Sequence, residues 1–359
     1  MHILGIETSC DETAAAVVID GKVMASNVIA SQIDLHAEFG GVYPELASRA
    51  HVEAIGTVVK QAMQDAGVDF ESIDAIAVTR GPGLVGSLLV GVNYAKGLAL
   101  STGKPLVGVN HLEGHVYSLW LTQPFRAPEF PVLVLIVSGG HTELLLMTDH
   151  GEYKRLGGTI DDAAGEAFDK VGRLLNLPFP GGPNIEKSSQ FGNPTAFKFP
   201  RAKRDGSYDF SFSGLKTAVM REVTVQTSAN SRKNRKAEKS QLRSDVSVND
   251  VAASFQEALV DILVEKTVAA AKAYNATEIF ISGGVSANQR LRQLMRKESE
   301  LPIRNPPLNL CTDNAAMIAA AAYYRYGEAI ENGTLESDFA MDVTPMWPLT
   351  KSAYAEEAT

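Results

Sequence analysis

The sequence predicts an α/β protein with duplicated lobes, and three observations carry that prediction. Apolar, strand-like runs alternate with helical periodicities along almost the whole chain. Two strand–polar loop–strand units occur, one at the N-terminus and one beginning at Val132. Two apolar strands, Val132 to Val137 and Glu278 to Ile281, each run into a Ser-Gly-Gly turn.

The chain opens with a strand (His2 to Ile6), a polar turn (Glu7 to Thr13) and a second strand (Ala14 to Ile19). A turn at Asp20-Gly21 leads to a third strand, Val23 to Ile29. Glu45 to Ala66 has helical spacing, Ile73 to Thr79 reads as a buried strand and Gly86 to Leu100 as a helix. Leu106 to Val109 is a strand that feeds the segment His111-Leu112-Glu113-Gly114-His115. The opening pattern then recurs: strand Val132 to Val137, turn Ser138 to Thr142, returning strand Glu143 to Met147 and a turn at His150-Gly151. Asp162 to Leu175 is helical through Phe168, Val171, Leu174 and Leu175. Asn249-Asp250 can cap a long helix that carries Val251, Phe255, Leu259, Ile262 and Leu263 on one side. A strand from Glu278, a helix from Asn288 and an alanine-rich helix after Asp313-Asn314 follow, whereas Lys351 to Thr359 carries no pattern. The expected division is a first lobe over 1–125, a second over 126–335 and a tail over 336–359.

A chain of 359 residues, 45% hydrophobic and 21% charged, suits two domains or one bilobed unit with a large core. Cys10 and Cys311 are its two cysteines. They exclude a disulfide framework and a four-cysteine zinc site, so a reducing cytoplasm is expected. The N-terminus lacks the basic start and apolar core of a signal peptide, and no apolar run approaches the roughly 20 residues that span a bilayer. No membrane association is expected. A net charge of -9 makes the surface as a whole repel nucleic acid, so any such binding needs a local basic patch. One candidate is residues 228–247, which include Arg232, Lys233, Arg235, Lys236, Lys239 and Arg243. The segment reads either as a solvated insertion or as a basic arm for RNA phosphates.

His111 and His115 stand four residues apart, which on a helix puts both imidazoles on one face, where they can share a metal ion. Asp313 is the candidate third ligand, and it is also a candidate helix cap. Two histidines and one carboxylate with open positions suit Fe(II), and zinc tolerates the same set. Glu113 does not adjoin the first histidine, as the metalloprotease pattern requires. Gly81-Pro82-Gly83-Leu84-Val85-Gly86 has the spacing of a dinucleotide fingerprint, but the acidic residue expected after the next strand is missing. These glycines read better as a tight turn with close helix–strand packing. The turns at Ser138, Ser282 and Gly181-Gly182-Pro183 tilt the reading toward a nucleotide-like ligand, because glycine lets backbone N–H groups face phosphate or carboxylate oxygens.

Together with the histidine segment, Ile6 to Thr13, Gly41 to Arg49, Gly81 to Leu84, Val137 to Thr142, Gly165 to Lys170, Phe212 to Lys216 and Ser282 to Asn288 form a motif set. By that set the chain closely resembles the universal tRNA N6-adenosine threonylcarbamoyltransferases in their bacterial form, from residue 2 to about residue 330. The resemblance implies the two-lobed fold of actin, hexokinase and the heat-shock ATPases. It implies transfer of threonylcarbamoyl from threonylcarbamoyl-adenylate to N6 of the adenosine beside the anticodon, in tRNAs reading codons that begin with A. It also implies one divalent metal on His111, His115 and Asp313, Fe2+ rather than Zn2+. The adenylate and its acyl group would lie against Ile136, Val137, Ser138, Gly139, Gly140, Asp169, Gly182, Glu186 and Asn288. Asp169 and Glu186 would suit ribose hydroxyls as acceptor-only carboxylates, and Asp11 is the candidate acceptor of the amine proton. The family works with a degenerate paralogue subunit and a small ATPase. The compact family pattern lacks the insertion at 228–247. The alternative is a small-molecule kinase or carbamoyltransferase of the same superfamily, which would not require His111.

Overall fold

The first strand, β1 (His2–Glu7), shows how the chain is layered. Ile3 points into one core while Leu4 and Ile6 point into another, as the alternation of strand side chains demands. β1 pairs antiparallel with β2 (Glu12–Ile19), which pairs antiparallel with β3 (Val23–Ser31). On its other side β1 is parallel to β4 (Ala75–Gly81), which is parallel to β5 (Leu106–Asn110). The first sheet therefore has the order β3-β2-β1-β4-β5. The structure, a computed structural model, describes residues 1–202, 205–225 and 242–350.

The second half repeats that order. β6 (Val132–Val137) pairs antiparallel with β7 (Thr142–Asp149), and β7 with β8 (Glu152–Gly158). On the other side of β6 lie β9 (Glu278–Ser282) and the two-residue β10 (Ile303–Arg304), both in parallel. The order β8-β7-β6-β9-β10 matches the first sheet strand for strand, so the duplication expected from the two hairpins is present. The strand β8 was not anticipated, because its alternation is weak: five of its seven residues are charged or glycine and only its last two are fully buried.

Three cores separate the layers. One face of β6, through Leu133, Leu135 and Val137, meets the outer helices α5 (Ala164–Leu174), α6 (Gly181–Ser189), α7 (Ser213–Val223), α8 (Val248–Ala273) and α9 (Gln289–Glu298). Its other face, through Val132, Val134 and Ile136, meets a core that it shares with the first sheet. That middle core holds the short helix α4 (His111–Tyr117) and the alanine-rich α10 (Ala315–Glu331). The far face of the first sheet is covered by α2 (Pro44–Ala66) and α3 (Val85–Thr102), while the five-residue α1 (Ile33–Ala37) follows β3. A run continuously buried on both faces, such as β6, is what a strand between two helical layers requires. The alanines of α10 fit the same geometry, since a Cβ added at Gly5 would stand 2.3 Å from the Ala315 carbonyl oxygen. Small side chains there let the helix lie directly on the first sheet.

The cap of α8 corrects one expectation. Ser247 caps this helix by accepting from Asp250 N, whereas Asp250 spends its carboxylate on the backbone N–H of Asn193 at 2.7 Å. Residues beyond α10 run back along the first lobe. Thr344 N donates to Arg80 O, Lys96 Nζ to Met341 O and Asn110 Nδ2 to Trp347 O. Of the basic segment, residues 228–241 lie outside the described residues, as do 351–359. Among the described residues, no helix is long and apolar enough to cross a membrane.

Candidate metal centre and active cleft

The middle layer brings the sequence-predicted metal ligands together. β5 ends at Asn110, whose side-chain oxygen accepts from Leu112 N at 2.9 Å and so starts α4 at once. One turn of that helix then sets His111 and His115 with ring centroids 4.7 Å apart and planes at 81°. Asp313 arrives from the loop before α10. Its alternative role as a helix cap is taken by Asn314, which accepts from Met317 N. The Asp313 carboxylate is thereby left for the histidines, with Oδ1 3.4 Å from His111 Nε2 and 3.1 Å from His115 Nε2. One potential ligand atom from each of the three lies within 4.8 Å of the others.

The donor set fits a divalent cation. His115 is fully buried, yet neither ring nitrogen has a hydrogen-bond partner, although Nε2 stands close to Asp313. A buried imidazole without a partner is costly, and a cation among the three side chains would satisfy it. His111 is oriented from behind. Its Nδ1 lies 3.0 Å from Glu7 Oε2 and 3.1 Å from Ser9 Oγ, which leaves Nε2 facing Asp313. Glu7 is fully buried at the end of β1 and accepts from Thr79 Oγ1 and Ser9 N, each at 2.5 Å.

Electrostatics follow this arrangement. Burial pushes the His111 imidazole down, but Asp313 and Glu7 outweigh it and hold its pKa well above the ordinary value. Burial pushes Glu7 and Asp313 up, and the neighbouring histidines bring both below the usual carboxylate range. The site is therefore built to hold positive charge, and a metal ion in place of the proton meets the same field. Glu12 is pushed up to about 10 by burial and by the Asp313 and Asp11 carboxylates.

The glycine turns line the carboxyl ends of the parallel strands, where open α/β sheets bind ligands. Gly283, in the left-handed region at φ 89°, sits so close to the first turn that a Cβ would come within 2.5 Å of Val137 O. The Ser138 and Ser282 turns are thus adjacent. Gly139 and Gly140 are exposed with open space above them. Ile136 and Val137 have fully buried side chains, so only their backbone can meet a ligand. Asp169 accepts from Gly181 N at 2.7 Å and fixes the start of α6, placing Gly182 beside it. Burial raises the pKa of Asp169, the charge of Asp11 adds to the rise, and the Gly181 N–H and Arg173 oppose it. Asp11 therefore lies within electrostatic reach of the second lobe. Glu186 accepts from Gln289 N at 2.7 Å, and Asn288 caps α9 while donating to Gln256. These three polar side chains stitch helix starts together around the cleft.

Gly81 to Gly86 belongs to a tight turn. A Cβ at Gly83 would stand 2.6 Å from Ser9 O, one at Gly81 would collide with Thr344 O, and Leu84 N donates to Ser9 O. Protein backbone occupies the space a dinucleotide would need. Sequence reading missed Glu7, Ser9 and Thr79 as supports of His111. The one available signal was a glutamate closing an otherwise apolar strand.

Comparison with known proteins identifies the family. A family model described as tRNA N6-adenosine threonylcarbamoyltransferase matches residues 23–320. The protein of that name from Thermomicrobium roseum is 53% identical, with 97% of each chain covered. The one from Geobacillus thermodenitrificans is 52% identical, again over 97% of each chain. Among solved structures, HypF of T. kodakarensis superposes with a TM-score of 0.60 at 14% identity, over 92% of this chain and 48% of that one. Component A of the Acidaminococcus fermentans (R)-2-hydroxyglutaryl-CoA dehydratase gives 0.52 at 14% identity, over 92% and 99%. These distant likenesses show the fold alone, the two-lobed α/β fold of the actin and hexokinase type. The long matches at over half identity decide the family: the chain belongs to the tRNA N6-adenosine threonylcarbamoyltransferases.

Proposed function

We propose that this protein transfers the threonylcarbamoyl group from threonylcarbamoyl-adenylate to N6 of the adenosine beside the anticodon, in tRNAs reading codons that begin with A. The observation that carries the reading is the convergence of His111, His115 and Asp313 beside the paired glycine turns, in a chain of this family. In the reaction, adenine N6 attacks the carbamoyl carbonyl and the carbon–oxygen bond to the phosphate breaks. AMP leaves with the bonding pair, and the N6 proton passes to a base.

The chain's own residues divide that work. The backbone from Ile136 to Gly140, with Gly182, approaches the adenylate closely because no side chain intervenes. Asp169 and Glu186 each use one oxygen on a helix N–H, which leaves the other for a ribose hydroxyl. Asn288 fixes the loop that closes the nucleotide side. Asp11 takes the N6 proton. A divalent ion on His111, His115 and Asp313 supplies Lewis acidity to the acyl group when bound, and the two-histidine, one-carboxylate set favours Fe2+ over Zn2+. The same reading places the enzyme in the cytoplasm, with a degenerate paralogue and a small ATPase as partners.

A reconstitution tests this function. It combines tRNA, threonine, bicarbonate, ATP, an adenylate-forming partner, the paralogue and ATPase subunits and this protein, with the modified nucleoside read by mass spectrometry. N6-threonylcarbamoyladenosine is expected, and its absence from the complete mixture would overturn the assignment. His111→Ala should remove metal content and transfer together, and full transfer by that variant without metal would remove the metal from the mechanism.

A further inference from the structure

Glu113 stands between the two histidines on α4 but faces away from them, and nothing in the transfer chemistry uses it. It is only 7% exposed. Its Oε1 accepts from Tyr153 Oη at 3.3 Å and lies 3.6 Å from Arg325 Nε. Arg325 sits on α10, the helix that follows Asp313, and its Nη1 donates to Gly151 O at 2.9 Å in the β7–β8 turn. The fit there is tight, since a Cβ at Gly151 would overlap the Arg325 guanidinium. Near the same end, the rings of Tyr117 from α4 and Tyr324 from α10 stack with centroids 5.2 Å apart and planes at 10°.

α4 therefore lies along α10 with three points of attachment. His115 meets Asp313 at one end. In the middle, Gly114 lets the helices approach so closely that a Cβ would stand 2.8 Å from Ile318 Cδ1. At the other end the Glu113–Arg325 pair and the tyrosine stack fix the register, and Tyr153 and Gly151 tie both helices to the second lobe. Two ligands ride on α4 and the third precedes α10, so the metal geometry depends on how these two helices are locked together.

We propose that Glu113 is a positioning residue of the metal centre: paired with Arg325, it clamps α4 along α10 and so holds His111 and His115 in register with Asp313. The inference rests on the metal reading above. Partners that orient metal ligands typically change affinity by about 10- to 100-fold when removed.

The test uses the full chain, with Co2+ as the probe metal. Its affinity is measured by competition with a chromophoric chelator and its geometry by the visible absorption spectrum. Glu113→Gln and Arg325→Met should each weaken Co2+ binding by roughly 10-fold or more and alter the absorption band. The double variant should lose no more than the weaker-binding single variant, because either change already opens the clamp. Arg325→Lys should restore most of the affinity, and it also serves as the measurable variant if the methionine protein does not fold. Affinity within twofold of the parent in both single variants would overturn the proposal, as would fully additive losses. His111→Ala, run alongside, separates the two ideas. If it binds Co2+ normally, the metal site itself is wrong; if it fails to bind while Glu113→Gln binds normally, only the clamp is wrong.

Discussion

Replacing Glu7 by glutamine tests whether the metal centre depends on a buried carboxylate behind His111. The substitution keeps shape and removes one of two acceptor oxygens. In the parent, Oε1 accepts from Ser9 N and Oε2 from Thr79 Oγ1, while His111 Nδ1 lies against Oε2. Glutamine can satisfy only one side. If its carbonyl faces His111, its NH2 points at the Ser9 N–H, and two donors oppose each other in a fully buried site, at a cost of about 1–3 kcal/mol. If its carbonyl faces Ser9, its NH2 meets His111 Nδ1 and forces the proton onto Nε2, the nitrogen needed for metal. Either way metal affinity falls, by roughly 10- to 100-fold, or about 1.4–2.7 kcal/mol. Chelator competition measures the affinity and denaturant unfolding of the metal-free protein measures the stability. An unchanged Kd together with an unchanged unfolding midpoint would refute the reasoning, because no orientation of the amide satisfies both sides.

Two further outcomes follow from the same geometry. Gly114→Val should force α4 away from α10, since even its Cβ would stand 2.8 Å from Ile318 Cδ1. A loss of about 1–3 kcal/mol in stability is expected from the overpacking, with weaker metal binding beside it; a variant with parent-like Co2+ affinity would show that the close approach does not set the site. His141 bears on the Ser138 turn, where its pKa falls from 6.5 to about 4 through burial first and then through His111 and His115. The unfolded chain takes up this proton at a higher pH than the folded one, so the contribution is complete above the unfolded pKa and is lost as pH falls toward the folded one. Between about pH 7 and about pH 5 the loss is about 2 kcal/mol. His141→Gln should flatten that part of the pH–stability curve, and an identical curve in both proteins would contradict the half-buried neutral imidazole.

Most strands and the long helices were legible because their apolar residues form continuous runs or periodic stripes. β6 is apolar throughout and sits between two cores, and α8 carries its stripe of Val251, Phe255, Leu259 and Leu263 into one of them. The histidine pair was legible for the same reason, since a helix converts a spacing of four into one face. Asp313 was half-legible. Its neighbour Asn314 could take the cap equally well, and only the fold shows that it does. What stayed hidden depends on approach between distant segments. Glu7 supports His111 across a gap in sequence that no periodicity encodes, and Glu113 acquires a role only when Arg325 comes near. The cap of α8 failed for a related reason: Asp250 could not serve there once Asn193 claimed its carboxylate.

That dependence on distant segments is built into the layering. The histidines follow a strand of the first sheet, while Asp313 comes roughly 200 residues later, ahead of a helix that packs back against that sheet from the end of the second lobe. The third ligand therefore belongs to the segment that closes the core shared by the two sheets. In the unfolded chain Asp313 has no reason to be near the two histidines, so a metal ion bound by all three would select the folded form and stabilise it by mass action. Because α4 and α10 lie in the core shared by both sheets, that stabilisation would act on the junction between the lobes rather than on either one. A metal centre placed there would make ion binding depend on the completed two-lobed fold, the same fold that brings the two glycine turns together.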